Sequence, residues 1–351
     1  MDCWKKNKKS RVVVKKQSLV QEGGREEILL EELIKCCDGK SNPIKFFSAD
    51  QILKATKSFS KCSLVLELFD HERWYSGTLD NHRKILVKKL WRTQASNPQG
   101  FFPEVRDIAI SSMVSGHKNF VKLVGCCLET EVPVMVYYVE RKQYCRIDLE
   151  KIVSWEKRVK IAEEIATALA YLHTAFSRPF VYSNMDIRNI FLDEDGVAKL
   201  GDFSNCVSIP RGETYVKLGY VRGAYDYIDD DYMNSGVVSQ KTDAFGFGVL
   251  MQKLLTGEER FRELYGRKNW KTLSKRRFPR CLSRSIEEGR FDEIVDSNML
   301  GKIGEDAEKE RFQMEAFLVL SERCIGVRGE VPNMVQVVKE LKRYPSSSFV
   351  L

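Results

Sequence analysis

"FVYSNMDIRNIFLDEDGVAKLGDF", residues 180–203, is the stretch whose reading decides the fold. Phe180, Val181, Ile187, Ile190, Phe191 and Leu192 frame a polar loop with side chains that a folded body would bury. Just upstream, "SWEKRVKIAEEIATALAYLH" (154–173) sets Ile161, Ala162, Ile165, Ala166, Leu169 and Leu172 at helical spacing behind Ser154 as N-cap. A long helix leading into such a loop has the framing of a catalytic loop. Yet the positions where chemistry belongs carry Tyr182, Ser183 and Asn184.

Toward the N-terminus the pattern is different. "LVLELF", "RWYSGTL" and "KILVKKL" alternate as strands between 64 and 90, and a helix is predicted over about 102–115. "FVKLVGCCLE" and "VPVMVYYVE" add two more strands. Ahead of them, Ser48 and Gln51 form a capping box before "ILKAT". The helix predicted at 25–37, "REEILLEELIKCC", gathers Ile28, Leu29, Leu33 and Ile34 on one face, suited either to its own body or to a partner. Beyond the loop, "FGFGVLMQKLLTG" (245–257) is apolar nearly all round, as a buried central helix ending at Gly257 would be. "MVQVVKELKRY" closes the helical part.

Composition narrows the classes. With 43% hydrophobic and 30% charged residues over 351 positions, the chain has an ordinary globular balance, and its net charge of +8 favours acidic partners or anionic surfaces. The 10 cysteines include no C-x-x-C pair and only four histidines accompany them, which argues against a metal centre and for reduced thiols in the cytosol. No apolar run reaches the ~18 residues of a membrane span. "MDCWKKNKKSRVVVKK" has no signal-peptide core, and Asp2 rules out N-myristoylation. Cys3 beside Lys5, Lys6, Lys8 and Lys9 leaves open a lipidated, peripheral attachment at the plasma membrane; the other reading is a basic tail. Residues 260–284 are densely basic, but their aromatics are not spaced as stacking platforms, so no nucleic-acid partner is expected.

Six segments taken in order resemble a protein kinase, specifically a plant receptor-like cytoplasmic kinase: "FSADQILKATKSFS", "ILVKK", "HKNFVKLVGCCLE", "LAYLH", "NIFLDEDGVAKLGDF" and "KTDAFGFGVL". The resemblance runs from about Phe46 to Tyr344. It implies an α+β, bilobal protein-kinase-like fold with a small β-rich N-lobe carrying one main helix (about 46–139) and a larger helical C-lobe (about 140–344). Residues 1–45 would be a basic tail plus the short helix, and 345–351 a tail.

Kinase chemistry needs a glycine-rich loop over the phosphates, a strand lysine paired with a helix acid, a proton-accepting aspartate, and an Asp and an Asn for the metal ions. Here Glu67, Phe69 and Glu72 stand at the glycine positions. Each carboxylate about 5 Å from a phosphate would cost ~3 kcal/mol at an effective dielectric near 20. Lys88 matches the strand lysine, and either Glu104 or Asp107 could face it. Asn184 takes the place of the proton acceptor, and a neutral amide has no useful basicity. Ser183 replaces the arginine that would otherwise clamp an activation-loop phosphate, and Asp186 a phosphate-steadying lysine. Asn189 and Asp202 keep the metal positions and Lys88 with Asp202 the nucleotide positions, a remnant site with room for weak ATP–Mg²⁺ binding and no required cofactor. Asp231 and Val331 replace a Glu–Arg clamp, so the activation segment (about 202–231) is expected to be mobile alone.

This pattern of losses resembles the ZED-related pseudokinases, a plant immune group. The resemblance implies a cytoplasmic, catalytically impaired adaptor. Members bind the leucine-rich repeats of a coiled-coil NLR receptor and recruit a second receptor-like cytoplasmic kinase modified by a bacterial effector. Ile28, Leu29, Leu33 and Ile34 are the candidate docking residues. The competing expectation is an active Ser/Thr kinase that uses Asp186 as its base.

Overall fold

Strand alternation in the first third of the chain and helical periodicity after it divide the molecule into two units. The computed structural model describes residues 24–37, 42–68, 72–90, 103–130, 132–138, 145–265, 282, 288–299 and 305–344. The basic tail with Cys3, most of the basic stretch 260–284 and the tail 345–351 lie outside the described residues. One unit comprises 1–117 with 122–142, the other 118–121 with 143–351.

The smaller unit holds α1 (Arg25–Cys37), β1 (Lys45–Phe46), α2 (Ala49–Ala55), β2 (Leu64–Leu68), β3 (Glu72–Thr78), β4 (Lys84–Leu90), α3 (Pro103–Val114), β5 (Leu123–Cys127) and β6 (Val134–Tyr138). Its six-stranded sheet runs β1-β5-β6-β4-β3-β2, antiparallel except for the β1–β5 pair. The capping box starts α2: the Gln51 amide donates to Ser48 Oγ at 3.2 Å and the Ser48 amide to Gln51 Oε1 at 3.0 Å. Alternate apolar residues of β4 and β6, Ile85, Val87, Val134 and Val136, then bury Ile52 and Phe47. Gly125 admits β1, since a Cβ there would lie 2.2 Å from the Lys45 carbonyl oxygen.

Helix α1 does not stand apart from this unit. It packs on α3 with Leu29 buried, while Ile28 and Leu33 are half-buried. The Arg25 guanidinium donates to the carbonyls of Leu128 (2.8 Å) and Thr130, and Arg106 Nε bonds Glu32 at 2.6 Å. Leu30 and Ile34, at 57% and 56% exposure, face outward.

The larger unit contains β7 (Cys145–Arg146), α4 (Trp155–Thr174), β8 (Phe180–Val181), β9 (Ile190–Leu192), β10 (Ala198–Leu200), β11 (Val207–Ser208), β12 (Tyr215–Lys217), α5 (Asp230–Ser235), β13 (Val237–Ser239), α6 (Gln240–Thr256), α7 (Glu258–Tyr265), α8 (Glu305–Ile325) and α9 (Met334–Leu341). The buried central helix is α6, which begins at Gln240, earlier than the apolar run indicates, because Ser239 and Thr242 form a capping box. It packs on α4 and α8. Gly248 permits the α8 contact: a Cβ there would come within 2.8 Å of the Ser321 carbonyl oxygen. Among the described residues, no helix is long and apolar enough to cross a membrane.

Candidate functional site: a degenerate catalytic loop and a lysine between two acids

Pairing of β3 with β4 places Trp74 opposite Lys88 and Glu72 opposite Leu90. Alternate residues of a strand share a face, so Glu72 and Trp74 point to the same side as Lys88. Lys88 Nζ lies 2.8 Å from Asp107 Oδ2 on α3 and 3.3 Å from Glu72 Oε2, with all three side chains buried. Trp74 Nε1 donates to the second oxygen of Glu72, and Ser111 Oγ donates to Asp107 Oδ1 at 3.0 Å. Of the two candidate acids, Asp107 is thus the direct partner of Lys88; Glu104 is also buried. Glu72 is therefore a ligand of the lysine, a role its type and position did not disclose. Phe69 and the side chain of Glu67 lie outside the described residues.

In the larger unit, α6 organises the loop at 180–193. Asp243 near its start is 1% exposed. Its carboxylate accepts the backbone N–H groups of Tyr182 and Ser183, each at 2.8 Å, and lies 2.8 Å from His173 Nε2. Two non-glycine residues here adopt left-handed backbone, Ser183 at φ 46° and Asp202 at φ 57°. Such conformations cost about 1–3 kcal/mol and persist only where surroundings enforce them. Tyr182 contributes by donating its hydroxyl to the Gly201 carbonyl at 2.6 Å.

The remnant residues are drawn together, but into bonds with one another. Asn184 Nδ2 donates to the Asp202 carbonyl at 3.0 Å, and its Oδ1 accepts Asn205 Nδ2 at 2.9 Å. Asn189 Nδ2 donates to the Asn184 carbonyl at 3.0 Å. Ser183 Oγ donates to the Asn205 carbonyl at 2.7 Å. Asp186 receives Arg188 Nε at 2.9 Å on both oxygens, and the Arg188 terminal nitrogen also reaches it. That hydrogen bond holds the Arg188 guanidinium above the usual arginine range. A carboxylate bound in this way is a poor candidate for a general base.

Asn189 and Asp202 retain oxygen donors of the kind Mg²⁺ takes. In the smaller unit, Lys88 carries two carboxylates, Asp107 and Glu72.

In the activation segment Asp231 is exposed on α5, in line with the expected loss of the buried clamp. The segment is anchored by other means. β11 pairs with β8, and β12 with β13. Val181, Val207, Ile209, Ile228, Tyr232 and Val238 form a buried cluster, and the Arg222 amide donates to the Tyr232 hydroxyl at 2.9 Å. Apolar packing has taken over from the ion pair.

A sheet unit and a helical unit in this order of elements make a protein kinase fold. A solved structure described as the pseudokinase domain of BIR2, an immune regulator of the RLK/Pelle family, aligns over 86% of this chain and 87% of its own with a TM-score of 0.61, at 20% identity. The family model for protein tyrosine and serine/threonine kinases matches residues 71–290. Among relatives from Arabidopsis thaliana, the non-functional pseudokinase ZRK15 is 58% identical over 98% of this chain and 96% of its own length. The non-functional pseudokinase ZED1 is 42% identical over 90% and 93%. The chain belongs to the protein kinase family and, within it, to the ZED-related pseudokinases.

Proposed function

We propose that this pseudokinase is an adaptor in plant innate immunity, joining the leucine-rich repeats of a coiled-coil NLR receptor to an effector-modified receptor-like cytoplasmic kinase. The observation that carries this reading is Asn184. At the proton-acceptor position, its amide is bonded on both sides, to the Asp202 carbonyl and to Asn205 Nδ2, so it holds a shape and offers no base. An unmodified nucleotide pocket is not needed for that role, and no cofactor is required. The active-kinase alternative is disfavoured because its base, Asp186, is engaged by Arg188.

Two measurements test the proposal. ATP–Mg²⁺ is expected to leave the melting temperature unchanged. A ligand present at 100 times its Kd would add ~2.7 kcal/mol and move the melting temperature by several degrees, so such a shift would contradict the dead-pocket part. For docking, the outward face of α1 supports the reading: Leu30 and Ile34 are exposed among Glu26, Glu27 and Glu31. Leu29, buried against the chain's own body, is removed from the docking set. Affinity capture from plant tissue should recover a coiled-coil NLR with the wild type. Leu30→Asp with Ile34→Asp should lose it at unchanged thermal stability. Equal recovery by the folded double variant would end the assignment of this face.

A further inference from the structure

The contact between Glu72 and Lys88 goes beyond the adaptor reading, because it concerns how the chain came to refuse nucleotide. A strand lysine of a kinase divides its ammonium between a helix acid and the nucleotide phosphates. In this chain Asp107 supplies the helix acid at 2.8 Å, and a second anion, the carboxylate of Glu72, is already present at 3.3 Å. We propose that Glu72 is a resident phosphate surrogate, a side-chain carboxylate that takes the phosphate's place on Lys88 and thereby excludes polyphosphate ligands from it.

Three observations on the smaller unit support this. The first is register: Trp74 sits opposite Lys88, so Glu72, two residues earlier in β3, lies diagonally across from the lysine on the same face and within reach of a long side chain. The second is orientation. Trp74 Nε1 donates to one Glu72 oxygen and leaves the other toward Nζ, and the indole is itself packed on Tyr137 with ring centroids 5.2 Å apart. The third is charge. Lys88 is 1% exposed, so its ammonium depends on protein anions for solvation, and Asp107 and Glu72 each supply one. An incoming polyphosphate would meet those anions where a lysine would otherwise attract it. Loss of the loop glycines alone would remove backbone donors from phosphate; Glu72 adds a competing anion.

The test uses the full chain and two probes, sodium tripolyphosphate and ATP–Mg²⁺, with calorimetric titration of wild type, Glu72→Ala, Glu72→Gln and the double variant Glu72→Ala with Lys88→Met. The neutral, isosteric Gln variant keeps the side chain's shape, which makes the experiment informative if the Ala variant does not fold. The expected result is at least a tenfold gain in tripolyphosphate affinity over wild type in the folded Ala or Gln variant, and its loss when Lys88 is also replaced. Affinity unchanged from wild type in a folded variant would overturn the proposal and leave Glu72 as a structural ion-pair partner only. A gain that persists without Lys88 would overturn it as well. The two probes separate the sources: a gain for tripolyphosphate alone assigns the site to polyphosphate, and a matching gain for ATP–Mg²⁺ extends it to nucleotide. NLR capture by the same variants should stay at the wild-type level, so failure here and failure of the adaptor reading appear in different assays.

Discussion

Replacing Asp243 by alanine is expected to cost the larger unit on the order of 4–6 kcal/mol, enough to unfold much of the population of a chain with an ordinary margin of about 5–15 kcal/mol. The carboxylate accepts two backbone amides and contacts His173, all in a buried setting. Each buried donor left without its acceptor costs about 1–3 kcal/mol. The loop it holds also stores backbone strain at Ser183. Asp243→Asn should be milder, because one oxygen remains for one amide while the new N–H₂ group faces the other donor. Urea denaturation followed by circular dichroism measures both. A loss below about 1 kcal/mol for the alanine variant would mean that the loop is held by its apolar frame and not by α6.

The second large effect is expected at Arg158. Its guanidinium, fully buried on α4, donates to the carbonyls of Ile152 (2.7 Å), Leu254 (2.8 Å) and Leu149 (2.8 Å), and to Asp296 Oδ2 at 2.5 Å. Burial pulls the guanidinium below the usual arginine range, with Asp296 opposing the shift. An arginine nevertheless stays charged at neutral pH. Asp296→Ala should therefore cost about 3–5 kcal/mol by leaving that charge without its counter-ion. Arg158→Leu should be costly too, and the double variant should lose clearly less than the sum of the two singles. Strict additivity in a double-mutant cycle would show the pair to be energetically independent despite the contact.

Where the sequence was legible, the signal was local. Ser48 with Gln51, Ser154 ahead of its helix and Gly257 at the end of α6 each act within one turn, so residue type and spacing suffice to read them. Lys88 was legible from its strand, but its acid was not. Glu104 and Asp107 are three apart on α3, and only tertiary placement decides between them. Glu72 was seen as a lost glycine and not as a lysine ligand, because that role depends on the β3–β4 register, which no single strand encodes. The anchoring of the activation segment rests on the pairing of β12 with β13, two strands separated by α5. Asp231 disclosed the loss of an ion pair, but not the apolar cluster that packs the segment. Helix α8 escaped notice because its first third, "EDAEKER", is charged at every position but Ala307 and masks the apolar residues that follow.

One feature of the division into units bears on how the chain can be handled. Residues 118–121 belong to the larger unit although sequence on both sides of them belongs to the smaller. Asn119 Nδ2 donates to the Ala198 carbonyl at 3.0 Å, Phe120 bridges to Leu200, and the Val121 amide reaches the Leu200 carbonyl at 3.1 Å. A cut after residue 117 removes β5 and β6 from the sheet, and one after 142 leaves 118–121 without 198–200. During synthesis, that short run must therefore wait for about 80 further residues to emerge before it meets its partners. A truncation after 142 keeps every residue of the smaller unit but carries 118–121 along without their partners, and neither half is complete until the ribosome has made part of the other.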